Sequence, residues 1–207
     1  MGAITNHLYD QFRMPRGPLG HLAGRIMSKR SSNIERSQWT VDLLGLAPDD
    51  RVLEVGFGPG LGIAAALTAA PGVTVVGLDH SSTMRTATAR RCASAVRDGR
   101  LSLRVGDAQA PPGDLGTFDA IFSCNVWLFW DDPVDTLARL VAFLEPGGQL
   151  AVTHLPRHGD ADSSVTAEAG DLIETQLKEI GLVGVERHTL ALDPAPAVCV
   201  IARSANP

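Results

Sequence analysis

From residue 51 onward, short runs rich in Val, Leu and Ile alternate with longer segments that mix polar and apolar residues. Such alternation marks β-α-β units, because each strand is covered on both faces while each helix keeps one wet side. The pattern predicts strands at 51–55, 73–78, 101–105, 119–124, 149–154, 184–190 and 197–202. Helical stretches separate the first five. The last two are joined only through residues 192–196, a loop with Pro194 and Pro196 that suits an antiparallel hairpin. Five crossovers and a closing hairpin describe an α/β, doubly wound, seven-stranded sheet that is mostly parallel with one antiparallel strand.

The helical stretches carry start and stop chemistry. Ser81 and Ser82 precede a helix expected to run to about Arg97, with Gly99 just past its end. Asp132 is placed as an N-cap, with Pro133 at the first helical position. The run Glu145-Pro146-Gly147-Gly148 stops that helix and turns the chain into the next strand. Residues 1–48 lie outside the alternation. There Pro18 can open a short helix carrying Leu19, Leu22 and Ile26, and Ser32-Asn33-Ile34-Glu35 fits a capping box opening a second with Trp39, Leu43 and Leu44. These lead us to expect an N-terminal helical cap, 1–48, laid over the mouth of a sheet formed by 49–207, within one compact unit. A long polar loop is expected at 157–164.

Composition narrows the class. A chain of 207 residues with 44% hydrophobic residues can bury a core covered on both faces as one domain. Its longest uninterrupted apolar run, 197–202, falls far short of the roughly 20 residues that span a bilayer, so no integral membrane insertion is expected. No apolar segment follows a basic start, and the expected location is cytoplasmic. Cys92, Cys124 and Cys199 are odd in number and outside any CxxC pair, which points to buried thiols and neither disulfides nor zinc. A net charge of -5 argues against nucleic acid as a partner. Within residues 1–40, however, Arg13, Arg16, Arg25, Lys29, Arg30 and Arg36 face only Asp10 and Glu35. That segment is a solvated helical face, or it attracts an anionic substrate group or an acidic membrane surface.

The most specific chemistry lies at the end of the first strand. Val52-Leu53-Glu54-Val55-Gly56-Phe57-Gly58-Pro59-Gly60-Leu61-Gly62 is a hydrophobic strand entering a tight turn that opens a helix. Glycines there supply positive φ and let a ligand approach bare backbone. A dinucleotide fingerprint would need its third glycine at position 61 or 63, where the chain has Leu61 and Ile63. A phosphate loop would need Lys before Ser or Thr, and no lysine occurs between Arg30 and Lys178.

What remains is acidic-x-Gly-x-Gly-x-Gly, read on Glu54, Gly56, Gly58 and Gly60. It resembles the first motif of the class I S-adenosylmethionine (SAM)-dependent methyltransferases, of the small, single-domain, methyltransferase type 11-like kind. The resemblance covers roughly residues 48–203 and is most specific from Glu54 through Asp79. It implies a Rossmann-like sheet of strand order 3-2-1-4-5-7-6, SAM as cofactor, S-adenosylhomocysteine as product, and no metal. The glycine turn would touch the methionine and ribose part of SAM, with Glu54 helping to hold its amino group. A ligand with a sulfonium and an ammonium but no phosphate accounts for a carboxylate at the strand end. Asp79 closes strand two, where a carboxylate can accept both ribose hydroxyls, and the adjoining His80 is grouped with it. Asp107 and Ala108 resemble the family's adenine-binding position, and Asn125 stands where the family has a residue beside the methionine.

Only 5% of the residues are aromatic, yet Trp127, Phe129 and Trp130 cluster after strand four, at the switch point where ligands of such sheets bind. Trp127 and Trp130 are therefore candidates for a substrate wall. Asp131 and Asp132 could be drawn as metal ligands, but their place before Pro133 favours helix capping. Methyl transfer needs a base only when the acceptor must lose a proton, and the candidates are His154 at the end of strand five and Tyr9 in the cap. His7, His21, His158 and His188 are read as surface or packing residues. The Asn/Asp-Pro-Pro-Tyr sequence often found after strand four in nucleic-acid and protein N-methyltransferases is missing, which favours a small-molecule acceptor. The alternatives are a SAM-binding protein that transfers no methyl group, as sensor, partner subunit or catalyst of other SAM chemistry, and a methyltransferase for lipid head groups. A monomer or homodimer is expected.

Overall fold

The computed structural model describes residues 31–156, 162–193 and 195–205. The helix expected at Pro18, the candidate base Tyr9 and most of the basic cluster before Ser31 lie outside the described residues. The strands are β1 (Arg51–Val55), β2 (Thr74–Asp79), β3 (Leu101–Val105), β4 (Phe118–Cys124), β5 (Leu144–His154), β6 (Val183–Leu190) and β7 (Ala197–Arg203). They form one seven-stranded sheet of order β3-β2-β1-β4-β5-β7-β6. Pairing is parallel from β3 to β5, and β7 runs antiparallel to both of its neighbours. The α/β topology is the one expected from the hydrophobic alternation and the motif resemblance.

Most strand ends fall within one residue of expectation, and two boundaries differ by more. β5 starts at Leu144, ahead of the predicted 149, because Leu144 already pairs with Phe118. The ladder then jumps to Ala120 opposite Gln149, so Glu145-Pro146-Gly147-Gly148 bulges out inside the strand. Gly147 takes φ 76°, and a Cβ on Gly148 would stand 2.9 Å from the Glu145 carbonyl. The helix expected over 82–97 is broken at Cys92, whose φ of -107° and ψ of 35° divide α3 (Ser82–Arg91) from α4 (Ala93–Arg97). The cap was read correctly, with Ser81 Oγ accepting from the Met84 amide.

Two hydrophobic clusters cover the sheet. On one side α1 (Ser31–Leu44), α2 (Leu61–Ala69), α3 and α4 pack on Val52, Val75, Phe122, Ala151 and Ile201. On the other, α5 (Pro133–Val141) and α6 (Ser163–Glu179) pack on Leu53, Val55, Leu78, Ile121 and Val200. Asp132 caps α5, accepting from the Asp135 amide at 3.0 Å. The three cysteines are free and buried.

Helix α1 lies along the α2 face of the sheet, and its first turns bring Arg36 near Glu54 and Cys124 at the carboxyl end. Thr40 Oγ1 meets Thr153 Oγ1 at 2.7 Å near the end of β5, and Gln149 at the ladder's restart donates to the Leu44 carbonyl at 2.9 Å. Its inward stripe is Asn33, Arg36, Ser37, Thr40, Val41 and Leu44, a mainly polar set at helical spacing. Trp39 and Leu43, which signalled the helix, are only partly buried. Ser32 and Glu35, read as a capping box, already stand inside it.

Candidate functional site

Strand alternation decides which side chains meet at the carboxyl end of the sheet. In β1, Leu53 and Val55 enter the α5/α6 side, so Glu54 shares the other face with Val52. Its side chain is 3% exposed. Gly62 makes this possible, since a Cβ there would overlap Glu54 Oε1. The Ile63 amide donates to the Glu54 carboxyl, whereas Oε2 has no hydrogen-bond partner among the described residues. Loss of water outweighs the pull of the Ile63 amide and the Arg36 charge, and with Asp79 adding to the rise the carboxyl is pushed up to about pKa 8.

Asp79 lies on the same face, two positions beyond Gly77, and is buried. Its Oδ2 accepts from the Gly58 amide and its Oδ1 from the Ser81 amide, both at 2.8 Å. Burial raises its pKa, opposed by those two amides and by the charge of the exposed His80. The carboxylate therefore ties β2 to the glycine turn and keeps lone pairs for a diol.

The turn itself needs its glycines. Gly56, Gly58 and Gly60 have φ of 69°, 47° and 77°. A Cβ at Gly56 would overlap Val126 after β4, and one at Gly60 would come within 2.5 Å of Thr88 Cγ2 in α3. From α3, Thr88 Oγ1 donates to the Gly58 carbonyl at 2.9 Å and Arg91 Nε to the Pro59 carbonyl at 2.8 Å. The loop is thus gripped from two sides.

Asp107 sits on the next strand end, where the Gly106 amide donates to the Asp79 carbonyl at 3.0 Å. It is exposed and accepts from the Gln109 amide at 3.0 Å, while Ala108 packs on the α5/α6 cluster. Gln109 Oε1 in turn accepts from the Asp131 amide at 2.7 Å, joining the loops after β3 and β4.

A second group gathers at the same end on the opposite face. His154 follows Thr153 in β5, so alternation sends it away from the side that holds Glu54 and Asp79. Its ring meets Trp127 edge-on, with centroids 6.1 Å apart and planes at 69°. Trp127 opens a 3₁₀ turn (Trp127–Phe129), and its Nε1 donates to Gln176 Oε1 of α6 at 2.7 Å. Trp127 and Trp130 are each 8% exposed and belong to the α5/α6 core, while Leu128 between them is the exposed member of the turn. Asn125 takes φ 58° and clasps Leu155, accepting from its amide at 2.7 Å and donating to its carbonyl at 3.0 Å. Among the described residues no group of three or more His, Cys, Asp or Glu side chains is arranged to hold a metal ion.

Sequence reasoning did not find Thr88, Arg91, Gln109 or Gln176 as parts of this region, and it named Arg36 only as one member of the basic N-terminal segment. They carry no motif, and only packing brings them in. Arg36 is 7% exposed, and its Nη1 donates to Asn33 Oδ1 at 3.3 Å.

Residues 52–148 match the family described as the methyltransferase domain. Over 182 residues the chain is 30% identical to the uncharacterized methyltransferase YdaC of Bacillus subtilis, covering 88% of this chain and 97% of that protein. The chain belongs to the class I methyltransferase family. It is also 34% identical over 146 residues to a trans-aconitate 2-methyltransferase of Deinococcus radiodurans, covering 69% of this chain and 53% of that enzyme. It therefore spans nearly all of YdaC and about half of the second relative. The fold is similar to that in a complex between the Haloferax volcanii Trm112 methyltransferase activator and a methyltransferase, with TM-score 0.74 and 18% identity over 90% of this chain and 95% of that one. No helix among the described residues of this methyltransferase is long and apolar enough to cross a membrane.

Proposed function

We propose that the protein transfers the methyl group of SAM to a small-molecule acceptor. Glu54 Oε2 carries the reading: a buried carboxyl oxygen without a partner among the described residues, one strand from Asp79 and beside three left-handed glycines. Two buried carboxyls suit a ligand with an ammonium and a ribose diol. When bound, SAM supplies a methyl group made electrophilic by its sulfonium. Glu54 takes the ammonium, and Asp79 offers the diol the lone pairs that its amide bonds leave over. Gly56, Gly58 and Gly60 admit the ligand to bare backbone, Asp107 and Ala108 take the adenine, and Asn125 shapes the wall near the methionine part.

Transfer in line depends mainly on alignment. His154 is the described residue assigned to accept a proton from the acceptor, with its ring held by Trp127; Tyr9 is the second candidate. Trp127 and Trp130 back the acceptor side. The trans-aconitate relative and the missing Asn/Asp-Pro-Pro-Tyr sequence both support a small acceptor. We read the protein as cytoplasmic, acting as a monomer or homodimer without a metal ion or nucleic acid.

Isothermal titration with S-adenosylhomocysteine and NAD, followed by turnover of SAM with a panel of carboxylates, phenols and amines, tests the reading. Binding of the first ligand and a methylated product are expected. Heat from NAD alone would overturn it.

A further inference from the structure

We propose that Gln109 is a positioning residue that straps the turn after β3 to the turn after β4, and that this strap aims the Asp107 carboxylate and so sets the preference for adenine over a base without a 6-amino group. The inference rests on the SAM reading above and adds a residue that no motif marks.

The two turns leave the sheet from strands that are not neighbours, since β2 and β1 stand between β3 and β4. They meet nonetheless. Gln109 Oε1 accepts from the Asp131 amide at 2.7 Å, which ties one turn to the backbone of the other. Ala108 packs on the cluster that holds Trp127 and Trp130, so the bond crosses the carboxyl edge on the α5/α6 side. Glu54 and Asp79 face the opposite side of that edge. A ligand laid along the edge has Asp79 on one flank and the strap on the other.

The backbone of Gln109 makes a second bond, directed at Asp107. Its amide donates to Asp107 Oδ1 at 3.0 Å, and the Ala110 amide donates to the Asp107 carbonyl at 3.2 Å. Residues 107–110 are thus one closed turn, in which the carboxylate follows the Gln109 backbone. Asp107 is exposed, so packing does not hold its side chain. One end of Gln109 orients the carboxylate, and the other is anchored after β4.

That anchor is fixed from both sides. Before Asp131, the Trp130 amide donates to the Trp127 carbonyl at 3.2 Å, both indoles are buried, and Gln176 holds Trp127. After it, Asp132 caps α5. With Oδ1 taken by the Gln109 amide, Asp107 has its second oxygen for the ligand, and a carboxylate oxygen only accepts. It accepts from the 6-amino group of adenine, whereas the 6-carbonyl of hypoxanthine would set lone pairs against lone pairs. Without the strap the exposed carboxylate is free to turn, and the distinction fades.

Calorimetric binding of S-adenosylhomocysteine and of S-inosylhomocysteine to the wild type, Q109L and D131P tests the strap. Q109L removes the acceptor and D131P the donor. Trp130, which precedes position 131, already has ψ 136°, the extended backbone that a following proline requires. The wild type should prefer the adenine ligand roughly 10- to 100-fold, the range for a hydrogen bond to a charged group. In both variants the preference should fall to within about threefold, since a carboxylate that has turned away no longer makes that bond. Both ligands are titrated into the same protein, so a smaller folded fraction lowers the two signals alike and leaves the affinity ratio intact. An unchanged ratio in either variant, or a wild type without a preference, overturns the strap while leaving the SAM reading intact. Failure of the wild type to bind either ligand overturns both.

Discussion

Folding displaces the protonation of Glu54. Its pKa stands near 8 in the folded protein against 4.5 in an exposed glutamate. Between those values the native state holds a proton that the unfolded chain has released. Its contribution to stability is therefore full below pH 4.5 and is lost as the pH rises through 8. The urea midpoint of the wild type should fall between about pH 5 and about pH 8.5, and that of E54Q should fall much less. Parallel profiles would place the effect elsewhere. An ammonium bound to Glu54 favours the ionised form, so affinity for S-adenosylhomocysteine should tighten between about pH 6 and about pH 8 in the wild type but not in E54Q. Asp79 does two jobs, and Asp79→Ala should show both. Loss of bonds to the diol should weaken SAM binding by about 1.5 to 3 kcal/mol. Loss of the acceptor for the Gly58 and Ser81 amides should lower unfolding stability by a further ~1–3 kcal/mol. Unchanged affinity would mean that the ribose lies elsewhere.

Among the elements, the glycine turn is constrained by its neighbours as much as by its own backbone. Gly56→Ala meets both a left-handed φ and the Val126 side chain. It should lower the melting temperature and weaken S-adenosylhomocysteine binding, and adding Val126→Ala should recover part of the stability, since only the steric component is relieved. A double variant no more stable than Gly56→Ala would assign the whole effect to φ. On the other face, α6 supports the turn after β4 through one buried bond from Trp127 to Gln176. Gln176→Leu leaves the indole N–H without its acceptor and should cost about 1–3 kcal/mol in urea unfolding. Replacing both partners, Trp127→Phe with Gln176→Leu, should cost less than the sum of the single changes, because no polar group is then buried alone. Additive losses would argue against the bond.

At the scale of the whole molecule, α1 covers the face over strands β4, β5 and β7, so the N-terminal part of the described chain is packed against the last strand. Val41 and Leu44 complete the cluster that holds Phe122, Ala151, Cys199 and Ile201. A chain beginning at Gly45 would bare that surface and lose Arg36 as well. It should unfold at least several kcal/mol more easily, from the apolar area uncovered, or fail to show a cooperative transition at all. An unaltered transition would show α1 to be a detachable cap.

Much of this architecture was legible along the chain. The central strand positions followed from apolar runs buried on both faces, the caps at Ser81 and Asp132 from local hydrogen bonding, and the cofactor loop from glycines that positive φ demands. Each of these is set by a residue and its near neighbours. The inward face of α1 was misjudged because an apolar stripe was sought where the buried stripe is polar, from Asn33 to Thr40. The placement of His154 across the sheet from Glu54, the Asn125 clasp on Leu155, and the bond from Trp127 to Gln176 join residues far apart in sequence. Spacing alone determined that a glycine turn and acidic strand ends would stand at the carboxyl edge of a wound sheet. Strand register and helix docking alone decided which buried charges face one another there, because contacts between distant segments depend on how faces pack and leave no periodic trace in the chain.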